Sequence, residues 1–314
     1  MRSQWETGRI LGVLGLSRSV YFNWSKRWRQ GMLEDNYCLK GRENKVLPEE
    51  ESAVINYALS HPKEGYRRLC WMMVDEDVAY VSPGTVYNIL DRKDLLYRWK
   101  RSQSVGPMVT KPTGPNQRWH TDIMYLWING RWYFFVGVID GYSRYLIDWE
   151  LLVSMRANEV TLVMQRALEK NPGLRPEIVN DNGTQFTGHE FKKLIKRFEL
   201  AQIKTRLHHP ESNGIMERFL RNLREGISEN ELKDLGRARE IIKEWVNYYN
   251  NERLHAGIKY LKPRDYHYGE PGKLLEARKE KIRLARERRK EINRQRQGEQ
   301  NSPKESRAKS LILT

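Results

Sequence analysis

Hydrophobic and polar positions along the chain change their spacing near residue 118. Before that point apolar residues recur every three or four positions, as they do on one face of a helix. Residues 118–128 instead alternate apolar and polar positions, as in a half-buried strand. The pattern therefore predicts small helical units in the N-terminal third, followed by a region that mixes strands and helices.

Five helices are predicted before residue 100. Ser17 and Ser82 stand where an N-cap is favoured, and Pro83 follows the second of them as the first helical residue. The predicted helices cover residues 7–14, 17–29, 49–59, 66–73 and 82–90. Residues 100–117 are rich in Pro, Gly, Ser and Thr, so we expect a linker there.

The region after the linker has the alternating elements of an α/β protein. Asn129-Gly130 is a strong hairpin signal between predicted strands over 118–128 and 131–139. Further elements are predicted as a strand over 144–153, a helix over 157–170, a strand over 177–181, a helix over 189–200, a strand over 202–207 and a helix from 213 onward. The order is a three-stranded hairpin run followed by strand–helix units.

Charge points to a polyanionic partner. The chain of 314 residues has a formal net charge of +16 and an isoelectric point near 9.7. Residues 273–314 hold 14 basic and 6 acidic side chains and therefore half of that excess. The two cysteines cannot form a disulfide framework. The longest apolar run is too short to span a bilayer, so we expect no membrane partner.

Three acidic residues stand at the ends or edges of predicted elements. Asp122 lies in the first strand, Asp181 ends a later strand, and Glu217 lies one turn into a helix that starts near Gly214. Such edges are where a parallel or mixed sheet presents catalytic groups. Three carboxylates brought together commonly hold divalent metal ions for chemistry on phosphodiesters. Each residue taken alone would be an ordinary solvated surface charge.

Four segments follow one another over most of residues 115–270. They are Trp119-His120-Thr121-Asp122-Ile123, then Asn180-Asp181-Asn182-Gly183-Thr184-Gln185-Phe186, then 209–219 around Glu217, and Tyr248-Tyr249-Asn250-Asn251-Glu252-Arg253-Leu254-His255. In sequence and order these segments resemble the transposases of the retroviral-integrase-like group, specifically the catalytic protein of bacterial insertion sequences that use two reading frames.

The resemblance implies an RNase H-like catalytic core over residues 118–270, with a mixed five-stranded sheet flanked by helices. It also implies a helical DNA-binding module over 44–99 and a short helix-turn-helix-like basic segment over 1–36. For the basic segment, a helical hairpin packed on the rest of the protein is an equal alternative. The tail, residues 271–314, is expected to be an exposed helix or a disordered arm.

The resemblance further implies metal-dependent DNA cleavage and strand transfer at insertion-sequence ends. Asp122, Asp181 and Glu217 would be the catalytic residues and the ligands of two Mg²⁺ ions, with Mn²⁺ as a substitute. The expected DNA contacts are Arg221 and Arg224 on the helix of Glu217, with Asn182, Gln185, Arg18, Arg67 and Arg68. An ion pair between Glu217 and Arg221 along the helix is the alternative for that arginine.

Partners and alternatives follow from the same resemblance. We expect DNA, a homo-oligomer in the complex that holds two element ends, and a companion protein from an upstream frame. The expected location is the bacterial cytoplasm, at the nucleoid. The alternative functions are a catalytically inactive DNA-binding protein derived from a transposase, and an RNase H-like nuclease.

Overall fold

The computed structural model describes residues 7–30, 43–96, 111–204, 214–228 and 231–301. The chain divides into two compact units, residues 48–283 and residues 1–47 together with 284–314. None of the described helices has the length and apolar character needed to cross a membrane. Parts of the predicted N-terminal segment, the linker and the tail lie outside the described residues.

The larger unit is built around five strands. They are β1 (Arg118–Ile128), β2 (Arg131–Asp140), β3 (Leu146–Leu152), β4 (Glu177–Asn180) and β5 (Gln202–Lys204). Their order in the sheet is β3-β2-β1-β4-β5. β2 lies antiparallel to both β1 and β3, whereas β4 pairs parallel with β1 and with β5. This mixed five-stranded sheet confirms the predicted RNase H-like fold.

The hairpin between β1 and β2 turns at the predicted dipeptide. Asn129 and Gly130 have φ angles of 44° and 80°. Two consecutive residues with positive φ are what a two-residue hairpin turn with the correct twist requires, and asparagine and glycine adopt that conformation at the lowest cost. The turn sets the register that pairs Trp127 with Trp132 and Asp122 with Gly137.

Helices cover both faces of the sheet. Those of the larger unit up to residue 268 are α3 (Pro48–Ser60), α4 (Tyr66–Asp75), α5 (Pro83–Arg92), α6 (Ala157–Glu169), α7 (Thr184–Thr187), α8 (His189–Arg197), α9 (Gly214–Gly226), α10 (Leu235–Asn251) and α11 (Pro263–Tyr268). One apolar core joins the sheet to α9 and α10, and the other joins it to α6 and α8. In the second half of β1, Met124, Leu126 and Ile128 lie in the first core, whereas Tyr125 and Trp127 between them are exposed, so burial alternates along the strand.

The remaining helices are α1 (Thr7–Val13), α2 (Arg18–Arg29) and the long α12 (Pro271–Asn301). α2 begins as predicted, with the Ser17 hydroxyl accepting a hydrogen bond from the Val20 amide. The tail is therefore helical as far as Asn301, which is the first of its two predicted alternatives. It is not wholly exposed, since Arg278 and Arg289 are buried.

Aromatic residues fasten α10 to the sheet-covering helix α9. The Phe219 ring of α9 meets the rings of Trp245 and Tyr249 at centroid distances of 5.6 Å and 4.9 Å. Phe219 also lies 6.1 Å from the ring of Phe135 on β2. This aromatic stack holds α9 against the sheet.

Two predicted boundaries change. β3 begins at Leu146 rather than at residue 144, because residues 140–145 form a turn in which Arg144 has a φ of 65°. β4 ends at Asn180, so Asp181 lies just beyond the strand. α7 was not predicted at all, since a single helical turn is too short to show a hydrophobic period.

Candidate active site

Sheet register places the first two acidic residues side by side. β1 and β4 run parallel, with His120 paired to Val179. Continuing that register by two residues places Asp181 level with Asp122. Asp122 is half-buried and lies on the face of β1 that is covered by α9 and α10, as Met124 and Leu126 do.

A close contact seats α9, the helix of the third acidic residue, on β2 across the hairpin from Asp122. Asp122 pairs across the hairpin with Gly137 of β2. A Cβ atom at Gly137 would stand only 2.8 Å from Cε of Met216, so α9 packs directly on the bare backbone at this position. Glu217 follows Met216 in α9 and is exposed.

The charges of Asp181 and Glu217 act on the ionisation of Asp122. Burial raises the pKa of Asp122, and the two negative charges act in the same direction, so that its pKa lies at about 6. A hydrogen bond from the Ile123 amide to Asp122 Oδ1, 2.8 Å long, acts in the opposite direction. Asp122 is therefore a buried carboxyl near two other carboxylates, and it resists ionisation.

The loop that carries Asp181 is held by hydrogen bonds. Asp181 Oδ1 accepts a hydrogen bond of 2.9 Å from the Gly183 amide. Behind it, the Gln202 side-chain amide of β5 donates to Asn180 Oδ1 and to the Phe186 carbonyl oxygen, at 3.0 Å each. These contacts tie the end of β4 to both α7 and β5.

The donor chemistry of this site fits a magnesium ion. Carboxylate oxygens are the ligands that Mg²⁺ prefers, and the charges of Asp181 and Glu217 lie close enough to Asp122 to raise the pKa of this buried group. In the described part of the chain no three His, Cys, Asp or Glu side chains already stand in a geometry that would hold a metal ion. The site therefore fits Mg²⁺ in the type of its side chains and in their neighbourhood, and not yet in their geometry.

Two predicted DNA contacts lie beside Glu217. Arg221 and Arg224 are exposed on α9, four and seven residues after Glu217 and on the same face of the helix. The alternative, an ion pair between Glu217 and Arg221, does not form among the described residues. Of the two predicted contacts after β4, Asn182 is exposed, whereas Gln185 is half-buried with its side-chain amide folded over Gly183.

The other predicted DNA contacts lie elsewhere. Arg18 is exposed in α2, which belongs to the smaller unit. Arg67 is exposed on α4, where its guanidinium contacts the hydroxyl and the ring of Tyr66. Arg68 is half-buried, pairs with Glu64 and donates a hydrogen bond of 3.0 Å to the Leu254 carbonyl oxygen. Arg68 therefore fastens α4 to the segment that follows α10.

Sequence reasoning missed Gly137 and the surroundings of His255. Glycine inside an otherwise apolar strand was an available signal for close approach of another element. Around His255 the structure gathers Arg144, Arg253 and Arg68, whose positions in the chain are far apart. Only the proximity of Arg253 could have been anticipated, since it lies in the same predicted motif.

Two family patterns match the region that contains the sheet. The Integrase core domain matches residues 112–210, and a second Integrase core domain pattern matches residues 199–263. Together these segments cover β1 to β5 and the helices through α10.

Curated relatives are proteins of insertion sequences. The putative transposase InsK of IS150 from Escherichia coli K12 is 27% identical over 158 residues, which are 50% of this chain and 56% of that protein. The IS904 transposase of Lactococcus lactis is 27% identical over 54% of this chain and 72% of its own. An uncharacterized IS407 protein of Burkholderia multivorans is 25% identical over 82% of this chain and 89% of its own.

Solved structures with similar chains are retroviral integrases. The HTLV-2 integrase catalytic core domain, in complex with magnesium, is 14% identical with a TM-score of 0.40, over 50% of this chain and 99% of its own. A simian T-cell lymphotropic virus intasome chain is 15% identical with a TM-score of 0.46, over 69% and 75%. Neither structural similarity bears on activity. The chain is thus similar to the Integrase core domain over residues 112–263 and to transposases of insertion sequences over about half of its length.

Proposed function

We propose that this protein cleaves DNA at the ends of an insertion sequence and transfers the cut strands to new DNA. Asp122, Asp181 and Glu217 would be its catalytic, metal-binding residues. The observation that carries the proposal is the raised pKa of Asp122, to which the charges of Asp181 and Glu217 contribute. Strand register and the packing of Met216 on Gly137 support the same juxtaposition.

The roles of the chain's own residues follow from their positions. Asp122 and Asp181 extend from adjacent strands, so they would hold ions at fixed places, while Glu217 would approach from α9. When bound, two Mg²⁺ ions, or Mn²⁺ in their place, would activate the attacking oxygen and stabilise the leaving one. Arg221 and Arg224 would bind phosphates next to the cut, with Asn182 and Gln185 contacting the strand from the loop after β4.

The proposed partners are the element ends, the target DNA and further copies of this chain. Two ends must be held together for transposition, so the active complex would contain at least two catalytic chains. A companion protein from an upstream reading frame would contribute to recognition of the ends. The site of action would be the bacterial nucleoid.

The decisive experiment uses duplex DNA that carries the inverted repeats flanking the gene. With Mg²⁺ the wild-type protein should nick and join this DNA. The substitutions Asp122→Asn, Asp181→Asn and Glu217→Gln should each reduce the rate by at least about 10³-fold, since each removes a charged ligand from the reacting centre. Binding of the same DNA, measured by anisotropy in EDTA, should remain within about threefold of wild type, since phosphate contacts by Lys and Arg supply most of the affinity.

A matched control and a second substrate make the outcome interpretable. Glu199→Gln removes an exposed carboxylate that pairs with Arg175 at the surface, and it should leave the rate unchanged. Retained cutting in any of the three carboxylate variants would contradict the proposal. Activity on an RNA–DNA hybrid in place of element ends would instead favour an RNase H-like nuclease.

A further inference from the structure

Four arginines surround His255 within the larger unit. Arg68 comes from α4, Arg144 from the turn between β2 and β3, Arg218 from α9, and Arg253 from the end of α10. All four lie close enough for their charges to lower the pKa of His255, which burial already depresses, to about 3. We call His255 with Arg144, Arg218 and Arg253 the arginine pocket, and Arg68 forms its wall toward α4.

Direct contacts connect the members of the arginine pocket. A guanidinium nitrogen of Arg253 donates to Asn222 Oδ1 of α9 at 3.4 Å, and its guanidinium carbon lies 5.9 Å from the centroid of the Tyr249 ring. Arg144 Nε stands 3.6 Å from the place that a Cβ atom on Gly257 would occupy, and the His255 ring lies against the same place at 3.1 Å. Arg144 and His255, which are more than one hundred residues apart in the sequence, therefore lie close together.

The arginine pocket has more arginines than carboxylates near them. Among the described residues, Arg144, Arg218 and Arg253 form no ion pair, whereas Arg68 pairs with Glu64. The charge of Asp140 acts on Arg144 and that of Glu64 on Arg253, but the Asp140 oxygens already accept hydrogen bonds from Tyr142, Ser143 and the Asn116 amide. Burial lowers the pKa of both Arg144 and Arg253, which shows that their charges are partly withdrawn from water.

His255 adds a donor to the arginine pocket and no positive charge. With a pKa near 3 its ring is neutral at any physiological pH. Its Nδ1 accepts a hydrogen bond of 3.1 Å from the Gly257 amide, so the ring proton is on Nε2. The arginine pocket therefore offers hydrogen-bond donors and positive charge, which is the chemistry that binds a phosphate.

The position of the arginine pocket relative to α9 suggests which phosphate it binds. Arg218 follows Glu217 by one residue and so lies about 100° around the helix. Asn222, four residues after Arg218, lies on the same flank and contacts Arg253. The arginine pocket thus lies next to the face of α9 that carries Glu217, within reach of a DNA strand bound at that face.

We propose that Arg144, Arg218, Arg253 and His255 bind a backbone phosphate of the DNA strand near the one that is cut. This inference rests on the proposed function, because it takes the anion to be part of bound DNA. A purely structural cluster would need direct carboxylate partners to offset its desolvation, and among the described residues only Arg68 has such an ion pair.

The test measures DNA binding without catalysis. Anisotropy titrations of a short mixed-sequence duplex in EDTA, over a series of salt concentrations, should compare wild type with Arg144→Gln, Arg253→Gln and the double variant. Each single variant should bind about tenfold more weakly at 0.1 M salt, and the slope of log K against log salt should become shallower by about 0.9. Because both arginines contact one phosphate, the slope of the double variant should be shallower than that of wild type by no more than about the same 0.9.

Controls separate a phosphate contact from general effects. Arg175→Gln removes an exposed, ion-paired arginine of the same unit and should leave affinity and slope unchanged. Arg253→Lys should retain part of the affinity, since it keeps the charge but loses the forked geometry. If Arg253→Gln does not fold, Arg144→Gln and Arg253→Lys decide the matter alone.

The competing outcomes can be distinguished. If inorganic phosphate at constant ionic strength raises the Tm of wild type but not of the double variant, while DNA binding is unchanged, the arginine pocket takes a free anion and the proposal is overturned. Unchanged binding with no phosphate effect overturns it equally. Either result leaves the carboxylate experiment intact, whereas continued cutting by the carboxylate variants would overturn the proposed function whatever the arginine pocket binds.

Discussion

At the scale of single residues, the surroundings of Asp122 change the pKa of its carboxyl group. Its carboxyl is half-buried on the sheet, and the charges of Asp181 and Glu217 oppose its ionisation. In an unfolded chain the same group would titrate near 3.8. Folding without a cation therefore penalises ionised Asp122, and this penalty has a defined pH dependence.

We expect metal-free protein to lose stability as the pH rises. Folded Asp122 holds its proton up to about pH 6, whereas the unfolded chain releases it near pH 3.8, so the loss should develop between these values and persist above them. Asp122→Asn should remove this loss. At pH 7.5 in EDTA the variant should be more stable than wild type by about 2–3 kcal/mol, and the difference should vanish near pH 4.

Urea unfolding at the two pH values measures this difference. Addition of Mg²⁺ at pH 7.5 should stabilise wild type and leave Asp122→Asn nearly unchanged, since only the wild-type carboxylate attracts the ion. Equal stability of the two proteins in EDTA at pH 7.5 would show that folding does not raise the pKa of Asp122.

At the scale of elements, the active site depends on how closely α9 approaches β2. Gly137 has no side chain, and Met216 fills the space above it. The aromatic rings of Phe135, Phe219 and Tyr249 extend the same contact. The helix that carries Glu217 is thus seated by apolar packing one residue away from the carboxylate itself.

Gly137→Val should therefore impair activity more than stability. The new side chain would collide with Met216 and with Phe135, whose ring carbon stands 2.9 Å from the Cβ position, so α9 must shift outward. Overpacking of this kind costs about 1–3 kcal/mol, while a displacement of about 1 Å at the reacting centre can lower the rate about 100-fold. Cleavage assays and urea unfolding on the same samples measure the two effects.

A compensating substitution tests the cause. In the double variant Gly137→Val with Met216→Ala, the smaller alanine leaves space for the valine side chain, so part of the activity should be recovered. If the double variant is as inactive as Gly137→Val alone, the loss does not arise from the position of α9.

At the scale of the whole molecule, a buried ion pair joins the helical module to the rest of the larger unit. Arg278 of α12 donates to both Asp75 oxygens, at 2.8 Å and 2.6 Å, and its side chain is only 5% exposed. The same guanidinium donates to the carbonyl oxygens of Lys259 and Tyr260 and lies over the Trp71 ring. One side chain thus links α4, α12 and the segment before α11.

Asp75→Asn should destabilise the larger unit. The variant would leave the buried Arg278 charge without its carboxylate, at a cost of about 2–3 kcal/mol. Asp77→Asn is the matched control, since Asp77 pairs with Lys281 between the same two helices at an exposed position. It should give no measurable change in the urea midpoint. A similar urea midpoint for both variants would show that burial of the Arg278–Asp75 pair does not add to the stability of the larger unit.

The amino-acid sequence was most informative where a local rule applies. Asn129-Gly130 predicted its hairpin because few residues accept positive φ, and the alternation in β1 predicted which side chains face the core. It was least informative about short elements such as α7, and about β3, whose start at Leu146 depends on the turn held by Asp140.

By itself, the sequence determined the order of the strands and of most helices and the three acidic candidates, because propensities, turn residues and motifs act over a few neighbouring positions. The mixed sheet was predicted only through the resemblance to a known family. The seating of Met216 on Gly137, the raised pKa of Asp122 and the gathering of Arg144, Arg218 and Arg253 around His255 were decided only by the tertiary structure. Each of these needs parts of the chain many residues apart to meet, and both packing and electrostatics depend on distance in space.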